Sequence, residues 1–536
     1  MFRTNGTRRR YRLGIEPLEA RELLSGRTSA IPMTGRDATP SGPLSITARL
    51  APKSDPDGND VVLRSRVTIV GQTVPGAQVR LGQDVGGKLH KTTRANIQGR
   101  YHFTVGLPRG QAAFELVCTD KAGQTATTHL TAARGDVLID WNTTALDAVR
   151  AGESGPPLAA RNLALVQLAV YDAVNSIDPR YQPYGGIQVR PPRGASQVAA
   201  VAGAADEVLR SLYPAQAATF DATLAESLAT VPSRPARIRG VEVGRRVGDA
   251  ILALRAHDGS DEFVDAPPAT QPGMWSPTPP AYSPPVGLNF AFVTPFAMTS
   301  PSRFRPGPPP ALDSPEYAAA YNEVKSVGGT DSTTRTPDQT AFARFWSDLP
   351  GVTFTPPGHW NQIAEDAAMS RRLGLPAEAR LFALLDIALA DAGISCWETK
   401  NFYDFWRPVT AIRDGDSDGN PLTAGDPSWT PLWATPAFSS YASGHATFSA
   451  AAAAVLDSVF GADFAFTDAG DPTEGLDPRH FTGFEQAAAE AAASRMYGGI
   501  HFRFDNETGL RVGSQLGQYV LQHELLPLGT GVKGTG

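Results

Sequence analysis

Ala159-Ala160-Arg161-Asn162-Leu163-Ala164-Leu165-Val166-Gln167-Leu168-Ala169-Val170-Tyr171-Asp172-Ala173-Val174 is Ala-rich and predicts one long, largely buried helix. Stretches of the same kind follow it. They predict helices over Ala199–Leu212, Pro214–Val231, Pro235–His257, Pro315–Val327, Asp338–Trp346, His359–Leu373, Pro376–Ala392, Ala446–Phe460, Gly483–Tyr497 and Thr508–Leu525. Several open with Pro, which a first helical turn tolerates. No strand-rich stretch of comparable length interrupts them. Residues 135–528 are therefore expected to form a large, mainly α-helical bundle. A Pro-rich segment, Ala266 to Ser314, divides this region. Its length without helical periodicity leaves a linker or an ordered active-site wrap. Its aromatic residues (Trp275, Tyr282, Phe290, Phe292, Phe296, Phe304) favour the packed wrap.

Upstream the pattern is different. Over 45–134 short alternating runs such as Val67-Thr68-Ile69-Val70 and Tyr101-His102-Phe103-Thr104-Val105 are punctuated by Gly, Pro, Asp and Asn, which predicts a small β-sandwich. The stretches Gly71–Ala77, Gly99-Arg100-Tyr101 and Asp120-Lys121-Ala122-Gly123 are similar to bacterial Ig-like modules, which usually space or attach a catalytic domain. His90, His102 and His129 read as solvated or packed strand residues. Residues 26–44, rich in Ser, Thr, Gly and Pro, read as a linker. Before it, Arg8-Arg9-Arg10 and Arg12 suit a signal n-region, but Glu and Arg occupy the stretch where an apolar core should follow. This start resembles a Leu-Glu-Pro/Arg-x-Leu-Leu element of some large bacterial envelope and secreted proteins. A disordered basic leader is the other reading. The first implies an extracytoplasmic protein, secreted or held at the cell envelope.

The 536 residues are too many for one ordinary core, so two or more domains are expected. A net charge of −6 argues against a general nucleic-acid binder. Cys118 and Cys396 fall in different predicted domains, so no disulfide framework is expected. No Cys/His cluster has zinc spacing. No run of about 18 apolar residues suggests a transmembrane helix. Asp414-Gly415-Asp416-Ser417-Asp418-Gly419 begins like an EF-hand loop, but its twelfth position is Gly425 rather than Glu, so it reads as a turn. Nothing in the sequence fixes an oligomeric state.

Three stretches carry the chemistry. In Lys400–Pro408 a Lys and an Arg lie seven apart, two helical turns, which would set both on one face. Ser443-Gly444-His445 opens an Ala-rich helix, so a hydroxyl and free backbone N–H groups lie at its positive end, a ready anion site. The third is Ser494-Arg495, then His501, then Asp505. Each alone has an ordinary explanation: a solvated helix face, a cap, a turn.

Together, Lys-x6-Arg-Pro, Ser-Gly-His and Ser-Arg-x5-His-x3-Asp resemble the signature of vanadium-dependent haloperoxidases and type 2 phosphatidic acid phosphatases. Asp140–Asn142 through Ala173-Val174-Asn175, and Phe304–Leu312 with Asn322–Lys325, look like the bacterial haloperoxidase-like branch. The resemblance covers about residues 136–526. It implies a helical bundle and a site holding vanadate or phosphate. Lys400, Arg407 and Arg495 would neutralise the anion, and Ser443 and Gly444 would complete its cradle. His501 would be the vanadate ligand, or the nucleophile that forms a phosphohistidine in a phosphatase. His445 would be the acid/base, and Asp505 would hold the His501 tautomer. Trp397 and Phe438 match the aromatic pair of chloride-oxidising members on the halide side. Asp391 is a candidate support for one of the cations. One departure is Ala442, where the family usually has Pro.

Three functions follow as alternatives. The first is a haloperoxidase using hydrogen peroxide and halide. The second is a soluble acid phosphatase acting on small phosphate esters in the same pocket. The third is an envelope scaffold with a retired enzyme domain.

Overall fold

In the N-terminal part apolar and polar residues alternate, and the described residues form seven strands: β1 (Thr47–Leu50), β2 (Arg66–Gln72), β3 (Gln78–Gln83), β4 (Lys91–Arg94), β5 (Arg100–Gly106), β6 (Gly110–Thr119) and β7 (Thr125–Arg134). They make two antiparallel sheets, ordered β1-β2-β5 and β4-β3-β6-β7. In β5, Tyr101, Phe103 and Val105 are buried while Arg100, His102 and Thr104 face outward. In β6, Ala112, Phe114, Leu116 and Cys118 are buried. This is the period-two pattern of sheets covered on one face. His90, His102 and His129 are exposed, and both cysteines are free. The computed structural model describes residues 44–528 except 56–60, 64–65, 84–89, 108–109, 267 and 472–475. The leader and linker expected over 1–44 lie outside the described residues, apart from Leu44.

At Asp136 the chain changes from strand to helix. The Asp136 carboxylate accepts from the Leu138 and Ile139 N–H groups and caps α1 (Val137–Ala151). Then follow α2 (Pro156–Ile177), α3 (Gln197–Leu212), α4 (Ala217–Ala229), α5 (Arg234–Leu254), α6 (Pro315–Val327), α7 (Pro337–Phe345), α8 (Thr355–Arg371), α9 (Leu375–Tyr403) and α10 (Pro408–Arg413). After these come α11 (Gly444–Phe460), a short antiparallel pair β8 (Phe466–Asp468) and β9 (Arg479–Phe481), α12 (Phe484–Tyr497) and α13 (Arg503–His523). Helices α1 and α10 are absent from the sequence reading; the other helices fall where helices are expected. Val61 and Ala133 join the apolar core of the helices, and the chain from Ser45 on is one compact unit. Among the described residues no helix is long and apolar enough to cross a membrane.

Two helices are buried on all sides: α2 from Asn162 to Asn175 and α9 from Leu381 to Lys400. They pack on each other, and α9 also packs on α11. The approach of α13 to α11 depends on small residues. A Cβ at Gly509, Gly513 or Gly517 would lie 2.7, 2.2 or 2.7 Å from the carbonyl oxygens of Ser443, Thr447 and Ala451. The four-residue spacing puts the three glycines on one face of α13, and the Ala-rich α11 lies directly against them. The heads of these two helices carry His445 and Asp505.

The Pro-rich segment is a packed wrap, with Trp275, Phe290, Phe296 and Met298 buried. It is tied to α9 by the buried Asp391 carboxylate, which accepts from the backbone N–H groups of Phe296, Ala297 and Met298 at 2.6–2.8 Å. Asp391 is therefore the anchor of the wrap and supports none of the candidate cations by hydrogen bond.

Candidate active site

Helix α9 runs past Ala392. Gly393 lies inside it, against Phe448 and Pro157, and the helix ends only where Asp404 adopts a left-handed conformation, φ 43°. Lys400 is thus in the last turn of α9, while Arg407 lies beyond the break and starts α10, with Pro408 in the first turn. This corrects the expectation that the two cations share one helix face. They meet because the break turns the chain back. Lys400 Nζ donates to the carbonyl oxygens of Ser439 (2.7 Å) and Ser440 (2.9 Å), and Arg407 Nε donates to that of Phe438 (2.7 Å).

Arg407 is wholly buried, and its Nη1 donates to the Ile500 carbonyl (2.8 Å) and to His501 Nε2 (3.1 Å). His501 is placed by the tight exit from α12. Gly499 has φ 76°, and a Cβ there would lie 2.3 Å from the Gly328 carbonyl oxygen, so this crossing requires glycine. On its other side His501 Nδ1 is 2.9 Å from Asp505 Oδ2. An ionised carboxylate only accepts and a guanidinium only donates. The proton is therefore assigned to Nδ1, leaving the lone pair on Nε2. Asp505 Oδ2 also accepts from Phe502 N–H (3.1 Å) and from the Ser440 hydroxyl.

Arg495, in the last turn of α12, donates from Nη1 to the Trp346 carbonyl (2.7 Å). Ser443 is the N-cap of α11, yet its hydroxyl makes no capping hydrogen bond. Its backbone N–H donates to the Asp505 carbonyl (3.1 Å), which joins the heads of α11 and α13. His445 lies in the first turn of α11, with Nε2 3.6 Å from Asp348 Oδ2, a contact too long for a hydrogen bond. Gly444 lies under the Trp397 ring. Trp397 and Phe438 are ring neighbours, 5.1 Å between centroids, and Lys400 Nζ sits 5.2 Å from the Phe438 ring.

Burial dominates the electrostatics of this cluster. It pushes the Lys400 ammonium down to about 7 and the Arg407 and Arg495 guanidiniums down to about 9 and 10. His501 is held well below the usual histidine range by burial and by the charges of Arg407, Lys400 and Arg495. His445 is held well below it by burial and by Arg495 and His359. Six buried atoms of the cluster have no hydrogen-bond partner among the described residues: Arg407 Nη2, Arg495 Nε, Ser443 Oγ, His445 Nε2, Trp397 Nε1 and Asp505 Oδ1. Buried polar groups in folded proteins are rarely left so. Three cations and a hydroxyl gathered around one histidine lone pair form a donor set that matches a tetrahedral oxyanion. The residues present therefore fit such a group.

Residues 380–527 match the family described as VCPO second helical-bundle domain. A solved structure, described as the first bacterial vanadium-dependent iodoperoxidase, is 31% identical with a TM-score of 0.64, covering 72% of this chain and 97% of that one. The chain belongs to the vanadium haloperoxidase family. The vanadium chloroperoxidase of Curvularia inaequalis is 29% identical over 487 residues, 69% of this chain and 78% of that protein. A holo bacterial vanadium-dependent chloroperoxidase, 17% identical with a TM-score of 0.54 and covering 69% of this chain and 92% of that one, shares the fold. The protein is a vanadium haloperoxidase-like enzyme.

Several residues around the site of this haloperoxidase-like chain are missing from the sequence reading. Ser440 stands between His501 and Asp505; only its place beside Ser439, a few residues before Ser443, hints at it. Trp346 and Asp348 come from the link between α7 and α8, about a hundred residues before His445, and no local pattern marks them. A cavity of about 190 Å³ shares Trp397, Lys400, Phe438 and Ser439 with the site and is lined on the wrap side by Trp275, Pro285 and Leu288. The EF-hand-like stretch uses its carboxylates locally. Asp416 Oδ1 accepts from Gly425 N–H and Asp418 Oδ1 from Asn420 N–H. Among the described residues no group of three His, Cys, Asp or Glu is arranged for a metal ion.

Proposed function

We propose that the chain holds vanadate on His501 Nε2 and uses hydrogen peroxide to oxidise a halide. The observation that carries this reading is the set of partnerless buried donors, Arg407 Nη2, Arg495 Nε and Ser443 Oγ, gathered with His501, whose Nε2 lone pair accepts from Arg407 Nη1. Vanadate, when bound, would supply a Lewis-acidic centre that makes peroxide electrophilic with no change of metal oxidation state.

The chain's own residues then have separable tasks. Arg407, through its Nη2 protons, and Arg495, through Nε, would hold the anion. Lys400 has its third proton left for another. Ser443 Oγ–H and the Gly444 N–H complete the cradle. Asp505 holds the proton on His501 Nδ1, so that Nε2 always presents its lone pair. His445, neutral when the cradle is empty, would take up or give a proton beside the bound group. Trp397 and Phe438 keep the halide side apolar, so that a halide arriving there sheds water. The cavity behind them is the route of entry, walled by the wrap. The N-terminal sheets are read as an Ig-like module that spaces this domain from its surroundings; two antiparallel sheets with alternating burial support that.

The test is reconstitution with orthovanadate, followed by bromination of monochlorodimedone and triiodide formation in the presence of peroxide. The expected result is vanadate-dependent halogenation that His501→Ala abolishes. Hydrolysis of p-nitrophenyl phosphate, blocked by vanadate and without halogenation, would make the chain a phosphatase instead. A folded protein with neither activity and no bound anion would make it a scaffold. Full activity in His501→Ala would refute the role given to that residue.

A further inference from the structure

Behind His445 and Arg495 lies a second buried cluster, which meets the cradle through Arg495 Nη1 on the Trp346 carbonyl and through Asp348 beside His445. His359, on α8, is 3% exposed and lies between two carboxylates. Its Nδ1 is 3.0 Å from Asp348 Oδ1 and its Nε2 is 2.9 Å from Asp468 Oδ2. Two ionised carboxylates offer only acceptors, so both ring nitrogens must donate and the ring is an imidazolium. Burial opposes this charge, and the two carboxylates together restore it well above the usual histidine range. The Trp346 ring stacks on His359 at 4.5 Å.

The other side of this cluster faces the site. The Trp346 carbonyl receives Arg495 Nη1. Asp348 has one oxygen on His359 and the other 3.6 Å from His445 Nε2, and its charge is what counters the burial of Arg495. Asp348 is held in the left-handed region, φ 47°, which an Asp tolerates at some cost. Asp468 is fixed in turn by the Gly470 N–H.

We infer that His359 is a positioning residue for the two active-site groups above it. Clamped between Asp348 and Asp468, it pins the Trp346–Asp348 strand of chain against His445 and Arg495. Its bond to Asp348 Oδ1 keeps that carboxylate from turning onto Arg495 and engaging the Nε that the oxyanion needs. The three-member chain carries one net negative charge, whose near end lies at His445. That end favours the proton His445 must take up, while Arg495, His359 and the neighbouring His501 oppose it. These, with Asp348, are the charged and titratable groups around His445 in the structure. Deep buried residues of α8 and β8, with no contact to the anion, thereby tune the proton donor and the cradle.

The inference rests on the roles proposed for His445 and Arg495, and its test is made on the vanadium-free protein so that the two can fail separately. The probe is histidine labelled at 13Cε1, nine residues in all, with the His445 signal assigned by His445→Gln. Asp468→Asn keeps the hydrogen bond to His359 and removes one charge from the chain. It should lower the His445 protonation midpoint by about half to one pH unit, the effect of a unit charge roughly 10 Å away through protein. His359→Gln frees Asp348 to pair with Arg495, and phosphate affinity measured by calorimetry should fall by about tenfold. A His445 midpoint unmoved by Asp468→Asn, or wild-type phosphate affinity in a folded His359→Gln protein, overturns the inference. A midpoint that moves in a protein lacking halogenating activity leaves it standing and overturns the proposed function instead.

Discussion

Replacement of Arg407 by Lys keeps the charge and removes the geometry, and the structure fixes what is lost. The guanidinium has five N–H protons. Nε places one on the Phe438 carbonyl, Nη1 places two on the Ile500 carbonyl and His501 Nε2, and the two on Nη2 have no partner among the described residues. Those two are the ones left for an oxyanion. A lysine ammonium has three protons on a single atom and cannot serve Phe438, Ile500 and an anion lying in three directions. At least one charge-assisted hydrogen bond to the anion disappears, about 1.5–3 kcal/mol. The dissociation constant for vanadate should therefore rise on the order of tenfold to a hundredfold. The assay is calorimetric titration of vanadate into Arg407→Lys and wild type near neutral pH. Arg479→Lys serves as the control, since Arg479 pairs with Glu490 and Asp338 away from the cradle. If Arg407→Lys binds vanadate within about threefold of wild type, the donor count is wrong and the cradle does not use Nη2.

Other outcomes follow from the same structure. Lys400 is pushed down to about 7 by burial, so its charge is lost as pH rises through that value; affinity for sulfate, whose own charge is constant there, should fall from pH 6 to 9, and a flat profile would refute the role of Lys400. Glu365 is pushed up to about 8 by burial, with Asn142 and Thr143 donating to it. Its folded value lies above the unfolded one, so the native state binds the extra proton and stability falls as pH rises from about 4.5 to 8, by up to ~1.4 kcal/mol per pH unit. Glu365→Gln should flatten the dependence of the melting temperature on pH over that window, and an unchanged slope would refute the assignment. Asp391→Ala leaves the N–H groups of Phe296, Ala297 and Met298 without an acceptor, about 1–3 kcal/mol each if they stay buried. Hydrogen exchange should accelerate across the wrap while α9 stays protected; uniform protection throughout would refute Asp391 as its anchor.

Much of the fold is legible in the sequence, because helices such as α2 and α6 are specified by their own residues. Pro315 to Val327 begins and ends where its sequence says. The site segments were visible because each carries a dense and unusual set of residue types. What the sequence hid is tertiary in origin. The end of α9 is set by the conformation of Asp404, not by Gly393, whose small size serves packing against Phe448. Lys400 and Arg407 converge through a chain reversal that residue spacing does not encode. Asp391 looks like any helical carboxylate until the wrap arrives above it. His359 and Asp348 are eleven residues apart, and both lie about a hundred residues or more from Asp468, so nothing local announces their contact.

The glycine seam between α13 and α11 has a mechanical consequence. His445 rides on the first turn of one helix and Asp505, with His501 just ahead of it, on the first turn of the other, and along the seam the two backbones leave no room for a side chain between them. The acid/base and the ligand histidine are thus mounted on one stiff frame, and neither can swing aside without prying that frame open. The proline-rich cover is fastened elsewhere, to α9 through Asp391, so its attachment is independent of the frame that keeps the two imidazoles in register.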